Sequence, residues 1–113
     1  MESGMRRAEI WTVAGGPDYA GKPRPAVILQ ADAFDGTASI TLCPLTSLVV
    51  DAPLIRLSIA PTRQNGLHVV SRVMIDKITT VAKSKLQTRV GKLADEDMIR
   101  VNRAVLMFLG LAG

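Results

Sequence analysis

Arg24 stands between two prolines in Lys22-Pro23-Arg24-Pro25, directly ahead of the apolar run Ala26-Val27-Ile28-Leu29. Each proline ring fixes its own φ and pushes the residue before it toward extended backbone, so Arg24 has little local freedom. A guanidinium presented this rigidly suits phosphate, because its planar fork of N–H donors stays charged at any physiological pH. Some twenty residues later, Leu42-Cys43-Pro44-Leu45-Thr46-Ser47 pairs a buried stretch with two hydroxyls, and Pro44 is expected to end the strand and leave Thr46 and Ser47 at its exit. Cations and hydroxyls without a strong nucleophile fit a reaction in which positioning and electrostatics lower the barrier and the substrate attacks itself. RNA is such a substrate, since its 2'-hydroxyl can attack the adjacent phosphate in line.

Other chemistries lack their residues. The chain has one histidine, His68, and one cysteine, Cys43, and its carboxylates are scattered without metal-ligand spacing, so no metal or cofactor is expected. It contains no nucleophile elbow, Walker loop or dinucleotide fingerprint. His68, alone at the start of a strand, reads as structural, and Cys43, next to Leu42 and near Leu45, reads as a buried thiol in a reducing compartment. Two polar loops are placed to contact RNA. Gly15 to Pro23 carries Tyr19 and Lys22, and Pro61 to Gly66 carries Arg63, Gln64 and Asn65, together offering an aromatic face, cations and amides to unstacked bases.

The elements that must hold these residues are short strands. Alternation or apolar continuity marks Glu9 to Val13, Ala26 to Gln30, Ser39 to Cys43, Leu54 to Ile59, His68 to Ile75, Lys77 to Val81 and Thr88 to Leu93, with a turn at Asp35-Gly36. Only the end is helical. Asp95 is a plausible N-cap, Glu96 and Asp97 suit the first turn, Met98, Val101, Val105 and Phe108 recur at helical spacing, and Gly110 offers a stop. The 113 residues, 48% apolar, form one domain, mainly β with a C-terminal α-helix, as a small curved antiparallel sheet or barrel. Charge is segregated: Lys77 to Lys92 holds five basic residues and no acid, against the acidic cluster Asp95 to Asp97. No apolar run approaches the roughly 20 residues that span a bilayer, and no secretory h-region follows Arg6-Arg7, so a cytoplasmic protein with no membrane association is expected.

These residues resemble the MazF, PemK and Kid toxin family, small endoribonucleases of bacterial toxin and antitoxin pairs. The resemblance rests on Ala8-Glu9-Ile10-Trp11, the segment from Lys22 to Gln30, the segment from Leu42 to Ser47, Val73-Met74-Ile75-Asp76-Lys77-Ile78, and Leu93-Ala94-Asp95-Glu96-Asp97-Met98, in an order that covers nearly the whole chain. It implies an SH3-like barrel with a C-terminal helix, a homodimer, cleavage of single-stranded RNA at a short sequence, and a cognate antitoxin as partner. By motif position it marks Arg24 and Thr46 as catalytic, with Ser47 as their neighbour. Two positions depart from the pattern. Ala8 replaces a usual glycine before the first strand, and Met74 stands where the Kid-like branch has an arginine two residues before the late aspartate.

An arginine with a pKa above about 12 makes a poor general base, so Arg24 is expected to stabilise charge on the phosphorane while Thr46 positions the phosphate or the 2'-hydroxyl. The base is left among Glu9, Asp18 and Asp76. Two other readings compete: a small barrel that binds nucleic acid or peptide without cutting it, and a subunit whose helix face and edge strands serve only as an interface. A nuclease assay with variants separates them from the enzyme.

Overall fold

The computed structural model describes residues 4–15 and 22–112. Seven strands form one antiparallel sheet: β1 (Glu9–Val13), β2 (Arg24–Ile28), β3 (Ser39–Thr46), β4 (Arg56–Ile59), β5 (Ser71–Met74), β6 (Thr79–Ala82) and β7 (Leu86–Lys92). One helix, α1 (Asp95–Phe108), follows. The spatial order is β4-β5-β3-β2-β1-β7, with β6 also paired to β3. This is the mainly β architecture with a C-terminal helix expected from the sequence.

The central strand β3 changes partner along one edge. It pairs with β6 from Ser39 to Leu42, then with β5 at Leu45 and Thr46, while its other edge holds β2 from Leu42 to Pro44. Leu29 N–H donates to the Thr41 carbonyl at 3.1 Å, so odd-numbered residues of β3 direct their backbone groups to β2 and even-numbered ones to the β6 and β5 side. Pro44 therefore lacks an N–H on the handover side, where β6 has left and β5 has yet to arrive. For that reason Pro44 does not end the strand, as the sequence led us to expect, but lies buried inside it.

Period-two alternation separates two apolar clusters on the two faces of the sheet. Ile10, Val27, Cys43, Leu45, Ile59 and Val73 point to the face covered by Met98, Val101 and Ala104 of α1. Ala26, Ile28, Ile40, Leu42 and Leu86 point to the other face, where Trp11, Val13 and Val81 pack. The helix begins one residue earlier than its acidic cluster implied: Ala94, not Asp95, is the N-cap, without a side-chain bond, and Asp95, Glu96 and Asp97 occupy the first turn at the positive end of the dipole. Of its expected apolar positions, Met98 and Val101 are buried and Val105 is partly buried, but Phe108 is exposed, and Ala104 is buried as well. Gly110, at φ 74°, donates to the Met107 carbonyl and ends the helix.

The loop after β4 draws the two outer edges of the sheet together. Asn65, 1% exposed, accepts the Thr62 and Leu67 N–H groups on Oδ1 and donates Nδ2 to the Ala60 carbonyl. Gln64 then accepts the Lys92 N–H of β7 at 2.9 Å. Gly91 permits this approach, since a Cβ there would lie 2.4 Å from the Asn65 carbonyl oxygen. The sheet is thus curled and latched by a loop rather than closed by a ladder. Strand limits differ elsewhere: residues 68–70 are exposed and lie outside the strand ahead of Ser71, and Ile75–Lys77 is a 3-10 turn between β5 and β6.

Candidate active site

Arg24 opens β2 opposite Val13 of β1. On its other side β2 meets β3 as Ala26 to Pro44, Val27 to Cys43 and Ile28 to Leu42. Continued two residues outward, this register sets Arg24 beside Thr46. Alternation puts both on one face, because Arg24 follows the parity of Ala26 and Ile28, and Thr46 that of Ile40 and Leu42. The two residues singled out from the sequence therefore share one end of neighbouring strands and one side of the sheet.

Thr46 is half-buried, and its Oγ1 accepts the Leu48 N–H at 3.1 Å. That bond uses a lone pair and leaves the hydroxyl proton to donate. A donor aimed past the strand end suits a phosphate oxygen better than it suits capture of a proton. Ser47, next in the chain, is exposed. Beside Arg24 runs a groove of about 280 Å³ with an apolar floor of Val13, Ala26, Leu42, Pro44 and Val81 and a polar rim of Arg24, Thr79 and Lys85. Lys85 did not stand out in the sequence, where it belonged to an unremarkable basic run.

The carboxylates considered as bases are differently engaged. Glu9 lies four residues from Val13, about 13 Å along β1 from the Arg24 end. Burial pushes its carboxyl up, but bonds from the Arg6 N–H, the Trp11 indole and Arg89 outweigh this and hold it below the usual carboxylate range. Asp76, in the 3-10 turn after β5, receives Arg56 Nε at 2.8 Å and Nη2 at 3.0 Å. This fork lowers its pKa despite the cost of burial, so a proton is not readily accepted there. Arg56 faces Met74 across the β4 and β5 ladder. The guanidinium missing at Met74 is thus supplied to Asp76 from the neighbouring strand. Asp18 and Tyr19 lie outside the described residues.

The remaining expectations divide. Lys22 is exposed two residues before Arg24, and Arg63 and Gln64 are exposed on the latching loop. Asn65 is not available to read bases, because its buried amide is spent holding that loop. Cys43 donates Sγ to the Met74 carbonyl at 2.9 Å, and burial, with the Asp76 charge adding to it, pushes its pKa up to about 12. It is a structural thiol. Among the described residues no three His, Cys, Asp or Glu side chains cluster as metal ligands, and no helix is long and apolar enough to cross a membrane.

An open groove flanked by Arg24 and Lys85, with a hydroxyl donor at a strand end, thus lies on a curled antiparallel sheet backed by one helix. Residues 6–109 match the family of PemK-like, MazF-like toxins of type II toxin-antitoxin systems. The chain belongs to that family. It is 55% identical over 109 residues to a Mycolicibacterium smegmatis protein named "Probable endoribonuclease MazF", covering 96% of this chain and all of the relative. Its fold is also that of an endoribonuclease solved in complex with its cognate antitoxin from a mycobacterial species, with a TM-score of 0.78 at 23% identity over 96% of this chain and 97% of that one. MazF in a MazE-MazF crystal structure from Deinococcus radiodurans superposes with a TM-score of 0.73 at 19% identity, over 95% and 97% of the two chains.

Proposed function

We propose that this protein is the toxin of a toxin-antitoxin pair, an endoribonuclease that cuts single-stranded RNA at a short sequence without a metal ion. The observation that carries this reading is the alignment of Arg24 and Thr46 on one face at one end of β2 and β3. In the reaction, the 2'-hydroxyl oxygen forms a bond to phosphorus as the bond to the 5'-oxygen breaks. The 2'-proton leaves to a base, the 5'-oxygen gains a proton, and the products are a cyclic 2',3'-phosphate and a 5'-hydroxyl end. Thr46 donates its hydroxyl to a non-bridging oxygen, and the Arg24 guanidinium offsets the charge that grows on the phosphorane. The groove beside Arg24 accommodates an adjoining nucleotide against its apolar floor.

Family membership and the likeness to a toxin solved with its antitoxin support a cognate antitoxin as partner. An acidic, apolar antitoxin segment laid along the basic loops would block RNA. The homodimer draws support from the apolar end of α1 and its tail, where Leu106, Met107, Phe108, Leu109 and Leu111 are exposed. The work of such a toxin is cytoplasmic.

The test is cleavage of a long defined RNA in excess EDTA. Wild type cuts it, Arg24→Ala keeps the fold and loses at least a hundredfold in rate, and a 2'-deoxy substitution at the mapped position stops the reaction. Cleavage of the deoxy substrate would mean that water or a side chain attacks instead. RNA bound but left intact by wild type would favour a binding module.

A further inference from the structure

Arg72 of β5 stands directly opposite Thr46 of β3. Directly opposed residues of an antiparallel pair share a face, and the neighbouring pair, Leu45 and Val73, is buried on the other side of the sheet. Arg72 therefore points to the same side as Thr46 and, through the register of β2, as Arg24. The row Arg24, Thr46, Arg72 crosses three adjacent strands, with a hydroxyl between two guanidiniums. At about 4.8 Å per strand the two arginine backbones are about 10 Å apart, a gap that their flexible stems can largely close.

Among the described residues no carboxylate forms an ion pair with Arg72. Its half-exposed side chain reaches Nη1 to within 3.4 Å of the Ser47 carbonyl, a long contact that a phosphate oxygen can replace. The neighbouring carboxylate, Asp76, is already taken by Arg56. The contact with Ser47 also gives the guanidinium a direction, past Thr46 along the exit of β3.

We infer that Arg72 is a second phosphate-binding residue, holding the phosphodiester next to the scissile one and so fixing which phosphate lies between Arg24 and Thr46. This inference rests on the endoribonuclease reading and extends it to a residue that the sequence motifs do not mark. Arg72 binds substrate equally in ground and transition states, so its loss raises KM more than it lowers kcat. Each phosphate contact on single-stranded nucleic acid contributes about 0.7 to the slope of log affinity against log salt.

The experiment is a salt titration, from about 50 to 300 mM, of binding to a single-stranded RNA carrying a 2'-deoxy nucleotide at the mapped cleavage position. Wild type, R72Q, R72K and R24A are compared, each verified as folded by its melting curve. R72Q is expected to bind at least fivefold more weakly at low salt, with a slope shallower by about 0.7, while R72K restores the slope. In steady-state cleavage R72Q raises KM by a similar factor and keeps kcat within about threefold, whereas R24A loses kcat. An R72Q slope and KM equal to wild type would overturn the inference, as would a fall in kcat at unchanged KM. If wild type leaves RNA uncut, the endoribonuclease reading fails separately, and the same titration on intact RNA still decides whether Arg72 binds phosphate.

Discussion

Replacing Asp76 by asparagine removes a charge from a fork and changes almost no shape. The Arg56 side chain is 12% exposed and that of Asp76 25%, so the pair lies between a screened surface bridge and a fully buried one. Hydrogen bonds to charged groups contribute about 1.5–3 kcal/mol and neutral ones about 0.5–1.5, and the asparagine oxygen still accepts one N–H, so the loss is about 1–2 kcal/mol. For a domain of this size, that lowers the melting temperature by roughly 4–8 °C at pH 7. The change is read by far-ultraviolet circular dichroism or by Trp11 fluorescence. Acid should erase the difference. The depressed pKa of Asp76 means that its contribution is complete above the ordinary aspartate value of about 4 and vanishes as pH falls through the folded value. Wild type should therefore lose stability in acid until the two proteins converge. Below its melting point Asp76→Asn should cleave RNA within tenfold of wild type, because the carboxylate braces β4 against the turn after β5. Unchanged melting would refute the brace. A folded variant slowed more than a hundredfold would restore Asp76 as the general base.

Gly91→Ala should break the latch between the β4 loop and β7, because its Cβ would meet the Asn65 backbone at 2.4 Å; urea unfolding is expected to show a loss of about 2–3 kcal/mol. Ala8→Gly should be nearly neutral by the same measurement. Ala8 has φ 76°, so glycine relieves about 1–2 kcal/mol of left-handed strain, while losing a buried methyl costs about 0.8 and the freer unfolded chain about 0.4–1. Cys43, buried with a pKa near 12, should react with iodoacetamide at pH 8 only as fast as the protein opens. Alkylation faster than global unfolding, measured by mass spectrometry, would contradict that burial.

The placement of Arg24 and Thr46 at ends of neighbouring strands was legible in the sequence because each motif joins a polar side chain to an apolar strand. The strand carrying Thr46 was misread at its proline, since the rule that proline ends a central strand assumes that every N–H has a partner waiting. At Pro44 the neighbouring strands exchange places, and only the pairing reveals this. Asn65 looked like a base reader for a related reason: an amide in a polar loop carries no mark of burial, and its bonds to Ala60, Thr62 and Leu67 emerge only from the turn geometry. Arg56 and Arg72 were passed over although alternation gave each a face. Ser71-Arg72-Val73 sets Arg72 opposite to Val73, but which residue lies across from it depends on a long-range register that no local pattern contains.

The row of Arg24, Thr46 and Arg72 has its spacing set by backbone hydrogen bonds, whereas Lys22, Arg63 and Gln64 lie outside the strands. With the row holding phosphate and the loops reading bases, as we propose, cutting and reading are built from separable parts. Loop substitutions can exchange one target sequence for another while the distance between the cations, held by the ladder, stays constant. A strand slip of one residue would do the reverse, turning the row into the core and silencing the toxin whatever sequence its loops prefer.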